Sequence, residues 1–293
     1  MKNRKQSKAS RHSLVLLARA WETRWVILLA LAYLSSFGWL FTAGTVEDIR
    51  PSEIFITPAD PEWKGPGKDH WFGTTGTGLD LFNLCRVSMA QTIALAALAS
   101  GLGLGLAFLE VMLFAFDRRE KRFSLMKSFA RIGTLMPCAL ILLIILAGSG
   151  GGITALVATA ALLVAWHIGP TLAIWFEESE NRPDIVSAYI LGLSRSEIVT
   201  NRIVPATIRK MVGVFARLIP QIALLEMGLS YLGFGSERLS IGGLVAYGQQ
   251  VIIEAPWLAV YPGLFAAVVL TVMGLLGWLT SRSLKTGRVR RFL

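Results

Sequence analysis

Three ionisable side chains stand inside otherwise apolar stretches: Glu110, His167 and Glu226. Such a group is costly to desolvate, so it either ties neighbouring helices together or serves a path for ions, protons or polar solutes. Glu226 sits in the middle of ALLEMGLSYLGFG, 223–235, whereas Glu110 falls towards the end of an apolar run and can reach an interface. His167 belongs to AWHIGP, 165–170, where Pro170 bends a helix and frees a carbonyl. With Gln221 added, His167 and Glu226 are the candidates for lining a translocation path.

Other chemistry is missing its parts. No G-x-x-x-x-G-K-[ST] phosphate loop occurs, and the one Gly-Lys pair, Gly67-Lys68, precedes Asp69, so ATP is not bound by that route. Gly101, Gly103 and Gly105 superficially match a nucleotide fingerprint, but they lie in an apolar helix where small residues permit close packing. Neither H-E-x-x-H nor G-x-S-x-G is present, so no catalytic constellation, metal site or cofactor is expected. Cys85 and Cys138 are isolated and suggest no disulfide framework.

The elements that must position these groups are membrane spans. Of the 293 residues, 54% are hydrophobic and 16% charged. Trp25–Gly44, Ile153–Phe176 and Ala255–Ser281 carry no charge, Val87–Phe116 carries only Glu110, and Leu218–Gly235 only Glu226. Runs of about 18 or more apolar residues read as membrane-crossing helices. Six are expected, near 25–44, 87–116, 129–148, 153–176, 213–235 and 257–281. The fold class is therefore an all-α polytopic membrane protein.

Basic residues set the orientation. Seven Lys and Arg precede the first span, six lie at 118–131, six at 182–217 and five from Arg282 onward, against five in the intervening segments. The positive-inside rule puts both termini in the cytoplasm. The net charge of +10 then reflects juxtamembrane loops facing anionic lipid, with no nucleic-acid partner implied. The organisation reads as a basic segment 1–24, a first span 25–44 that is not cleaved, and an outside loop 45–86. A core 87–281 of five spans with an inside loop 177–212, and a basic tail 282–293, complete it.

That inside loop has helical grammar. Pro183 suits a first helical turn, Ile185, Val186, Tyr189 and Ile190 recur at helical spacing, and Gly192 can end the helix in a left-handed conformation. Ser194-Arg195-Ser196-Glu197 is a capping-box pattern opening a second helix, which Pro205 limits. The outcome is two short helices joined by a glycine bend on the cytoplasmic face, whose plain reading is a solvated or membrane-surface pair.

Three stretches resemble permease subunits of bacterial ABC importers, the second (C-type) permease of dipeptide, oligopeptide and nickel systems. HWFGTTGTGLD, 70–80, is similar to H-P-L-G-T-D-x-x-G-R-D, with His70, Gly73, Thr74, Gly78 and Asp80 matching a motif expected outside the membrane. ILGLSRSEIVTNRIVPA, 190–206, is similar to the cytoplasmic EAA loop, and LLEMGLSYLGFG, 224–235, to L-L-E-x-x-L-S-F-L-G-L-G. APWLAVYPGL, 255–264, is a fourth match, and the resemblance covers roughly 70–281. The chain departs from the pattern where Val186-Ser187-Ala188 replace Glu-Ala-Ala, Arg202 replaces a histidine, and Thr75 and Leu79 replace acidic and arginine positions.

The resemblance implies a type I importer permease in the bacterial inner membrane, non-enzymatic, forming half of a pathway for peptides or related small solutes. It implies partners: a second permease subunit, ATP-binding cassette subunits and an extracytoplasmic substrate-binding protein. It assigns ATPase coupling to the 184–210 loop, with Val186, Ser187, Ala188, Gly192, Ser194, Glu197, Arg202 and Pro205 as its residues. Arg195, Arg202, Arg209 and Lys210 could compensate for the lost glutamate by pairing with acidic groups on a partner. The alternative is a secondary transporter or stand-alone membrane protein using Glu226 and His167 as ion or proton sites.

Overall fold

The structure is a computed structural model that describes residues 63–116, 138–149, 152–234 and 239–286, with positions 31, 35, 38 and 40. Most of the expected first span, residues 45–62, the basic loop 118–131 and the tail beyond 286 lie outside the described residues.

Among the described residues the fold is all-α, with a single bridge between Thr74 and Asp80 and no strand. The helices are α1 (Leu81–Phe116), α2 (Cys138–Ser149), α3 (Ile153–Glu180), α4 (Pro183–Ile190) and α5 (Arg195–Ile198). A π-helical turn (Val199–Ile203) joins α5 to α6 (Val204–Tyr231), and α7 (Ile241–Gln250) and α8 (Trp257–Thr286) follow. Four segments are long and apolar enough to cross a bilayer: Leu81–Leu113, Ile153–Glu180, Arg195–Tyr231 and Trp257–Arg282. This is a multi-pass membrane protein. Of the expected third span, residues 138–148 are described and lie in α2, a 12-residue helix roughly 18 Å long at 1.5 Å per residue.

Boundaries differ from the sequence expectation in three places. α1 begins at Leu81, so the last six residues of the expected 45–86 loop are helix. Asp80 starts it: its Oδ1 accepts from the Asn83 N–H at 2.9 Å, the role of an N-cap acid. The second correction concerns Pro205, which does not end the helix begun at Arg195. The π turn carries the backbone through, with the Val204 N–H donating to the Val199 carbonyl five residues back. That extra residue per turn lets the chain enter a proline without the clash an unbroken α-helix would impose. Third, α7 was not foreseen. It is ten residues, capped by Ser240, whose Oγ accepts from the Gly243 N–H at 3.1 Å.

α1 is the central helix, packing along α3 and α6, while α6 packs along α8. Glycine decides how closely. A Cβ at Gly103 would lie 2.6 Å from the Ala161 carbonyl of α3 and from Val164 Cβ, so the two backbones touch there. A Cβ at Gly277 would lie 2.6 Å from the Ala216 carbonyl of α6, the one whose usual partner is removed by Pro220. The close-packing expectation thus holds for Gly103, whereas Gly105 faces open space.

Candidate functional site

Three regions hold the sequence candidates. The first lies within the bundle. Glu226, 3% exposed on α6, accepts hydrogen bonds from Thr92 Oγ1 of α1 at 2.9 Å and from Ser230 Oγ at 2.8 Å. Each carboxylate oxygen thus has one hydroxyl donor, and the Thr92 bond joins helices 134 residues apart in sequence. Among the described residues no Lys or Arg pairs with this carboxylate.

Glu226 also lines a cavity of about 160 Å³ between α2, α3 and α6. Its wall is mainly aliphatic (Leu142, Leu156, Val164, Leu218, Ile222), and its polar residues are Glu226, Gln221 and His167. The three path candidates therefore converge. His167 and Gln221 are exposed and Glu226 is buried, so the cavity runs from a polar mouth to an acidic floor. Glu110 is not part of it. Its carboxylate rests against α3 at Gly169, beside Pro170, where a Cβ would stand 3.4 Å from Oε2.

The second region is the polar insertion, and local sequence explains it almost bond by bond. Pro183 opens α4 after Arg182 as N-cap. Gly192, at φ +86°, closes it: the Gly192 N–H donates to Tyr189 O and the Leu193 N–H to Ala188 O, the pair that defines a Schellman end. The capping box forms, with the Ser194 N–H donating to Glu197 Oε2 at 2.9 Å and the Glu197 N–H to Ser194 Oγ at 3.3 Å.

Two side chains, Ile185 and Ala188, seat α4 on a buried cluster with Ala107, Val111, Leu172, Phe176, Ile198 and Ile203. The opposite side carries Val186, Tyr189, Ile190, Leu191 and Leu193 in solvent, with Ile190 81% and Leu191 79% exposed. Of the three residues at the Glu-Ala-Ala positions, Ala188 faces inward while Val186 and Ser187 face out.

Three basic residues of this segment have contacts within the chain. Arg195 Nη2 pairs with Glu180 Oε1 at 3.0 Å, and Arg202 Nη1 donates to the Asp184 carbonyl at 3.4 Å. Lys210 Nζ stands 3.9 Å from Glu178 Oε2 and 4.7 Å from the Trp175 ring centre. These contacts involve three of the four basic residues that the sequence offers for pairing with a partner. Pro205 is exposed at the first turn of α6.

The third region, residues 63–80, forms a compact knot at the opposite end of α1. His70 Nδ1 and Asp80 Oδ2 are 2.9 Å apart, so Asp80 both caps α1 and holds His70. The Lys64 N–H donates to Thr74 Oγ1, the Thr74 N–H returns to Lys64 O, and Trp257 Nε1 donates to Thr74 O at 3.3 Å. Gly73 and Gly78 take φ near +80° (80° and 77°), and a Cβ at Gly73 would lie 2.6 Å from Lys64 O and 2.9 Å from Trp257. Phe72 stacks on Tyr261 at 5.0 Å, adding a ring contact to α8.

Sequence reasoning missed Thr92, Ser230 and Trp257. Ser230 was legible, being four residues from Glu226 on one helix face. Thr92 and Trp257 act across the tertiary structure and carry no local signal.

No family model matches this chain. Curated relatives do. The oligopeptide transport system permease protein OppC of Salmonella typhimurium is 27% identical over 81% of this chain and 81% of its own length. A protein of Brucella suis named as a peptide permease is 29% identical over 77% of this chain and 74% of its own. OppC of Bacillus subtilis is 23% identical over 73% of this chain and 70% of its own. The resemblance read from the motifs thus extends over about four-fifths of the chain, to permeases of peptide transport systems.

Proposed function

We propose that this chain is a transmembrane permease subunit of an ATP-driven importer, supplying half of a path for peptides or related small solutes and receiving ATPase motion through residues 184–210. The relatives are named as permeases of oligopeptide transport systems, which supports the permease role. The observation that carries the coupling role is the form of α4. It opens on Pro183, closes on the Gly192 turn, is seated by Ile185 and Ala188, and turns Val186, Tyr189 and Ile190 outward. Exposed apolar side chains on a polar, membrane-flanking segment suit a protein partner.

The mechanism follows from rigidity. Arg195, the capping box and the π turn join α4 to α6 through a four-residue turn, 191–194, whose backbone is hydrogen-bonded back to α4. A displacement of α4 by a partner would therefore be passed to α6, and so to Glu226, instead of being absorbed. The apolar face takes over the anchoring that a glutamate at position 186 would otherwise share. Both termini are placed in the cytoplasm, with an extracytoplasmic binding protein delivering solute at the 63–80 end.

Mild detergent extraction of tagged chain from its host, followed by identification of co-purifying proteins, tests this. Recovery with a second permease and an ATP-binding subunit supports the importer. The convergence of His167 and Glu226 on one cavity is what a secondary transporter would need. Recovery of the chain alone, with uptake retained in ATP-free proteoliposomes, would make that reading the better one.

A further inference from the structure

The cavity beside Glu226 has a chemistry that the permease role does not by itself require. Its walls are aliphatic, and its three polar residues can all accept a hydrogen bond: the Glu226 carboxylate, the Gln221 side-chain carbonyl and a ring nitrogen of neutral His167. Two hydroxyls already donate to Glu226, one per oxygen, which leaves acceptor capacity on each. Among the described residues no cation stands against this buried carboxyl group, and a carboxylate there would gain from one.

We propose that this cavity binds a primary ammonium group carrying a short apolar substituent, with the ammonium against Glu226 and the substituent against Leu156, Val164 and Ile222. An alkylammonium offers three N–H donors and no acceptor, which complements a site whose polar residues can all accept. The volume of about 160 Å³ is comparable with a cavity of about 150 Å³ that takes a benzene ring, so a branched five-carbon chain is of the right size. A free peptide amino terminus followed by a small aliphatic side chain has the same chemistry. Resting on the permease reading, the site would then contact the amino end of a peptide in transit, and an acetylated end would be excluded.

The test uses the full chain in phosphatidylcholine nanodiscs, where lipid adds no net charge, with isoamylammonium as probe and isoamyl alcohol as its neutral isostere. Calorimetric titration should give saturable binding of one ammonium per chain, with the alcohol at least about tenfold weaker, since a buried charged hydrogen bond discriminates by that order. Glu226→Gln should remove most of that discrimination. Because Glu226 also joins α1 to α6, Leu163→Trp provides a second variant, one that fills the cavity from its α3 wall and leaves the Thr92 and Ser230 bonds in place. It should abolish binding of both probes.

Equal affinity for the alcohol, binding unaffected by Leu163→Trp, or no saturable binding at all would each overturn the proposal. The two readings fail separately. Partners recovered on purification without ammonium discrimination would remove the site and leave the permease, and ammonium binding by a chain that purifies alone would do the reverse.

Discussion

The two ends of the bundle use the same residue types to opposite effect. At 63–80, Gly73 with positive φ packs against Trp257 and Lys64 O with no space beside it, the backbone pairs with itself, and Thr75 is fully buried. At 183–203, Gly192 takes nearly the same φ but has nothing within 4 Å, and the apolar residues around it face solvent. One end is closed on its own chain. The other has its backbone satisfied while its larger apolar side chains face outward, and the proposed docking role rests on that difference.

Four changes would break or sharpen this contrast. The largest effect is expected from Gly73→Ala, where a methyl group meets Lys64 O and Trp257 in a conformation that already disfavours a side chain. A loss of about 3 kcal/mol or more is expected, read as a fall in the denaturation midpoint in mild detergent. An unchanged midpoint would mean the knot is not a fastening. Trp257→Ala should come close behind, at about 3 kcal/mol, by losing ring packing and the bond to Thr74.

Gly192→Ala, with the same φ but open space, should cost only about 1 kcal/mol in the same assay. A cost equal to that of Gly73→Ala would show that conformation alone, not packing, distinguishes the ends. The smallest stability effect, within about 0.5 kcal/mol, is expected for Ile190→Asp with Leu191→Asp, both largely exposed. The same pair should nonetheless abolish co-purification of an ATP-binding subunit. Retained assembly would show that this apolar face is not the docking surface.

Legibility followed the range of the interactions. The capping box, the Gly192 bend and Pro183 at the helix start were readable because each depends on residues within four or five positions. The passage through Pro205 was misread because a π turn and an α-helix have the same apolar periodicity over a few residues, and only backbone hydrogen bonding distinguishes them. The convergence of His167, Gln221 and Glu226 was not readable either. Each residue stood out locally, but their meeting depends on the mutual rotation of α3 and α6.

What the sequence by itself determined is the apolar runs, the caps and the motifs that resemble peptide permeases, because burial in lipid and backbone satisfaction are local demands that each segment must meet alone. Only the tertiary structure decided which face of each helix turns inward. Between helices in a membrane no hydrophobic difference favours one apolar face over another, so close glycine contacts such as Gly103 on α3 and polar bonds such as Thr92 to Glu226 make that choice.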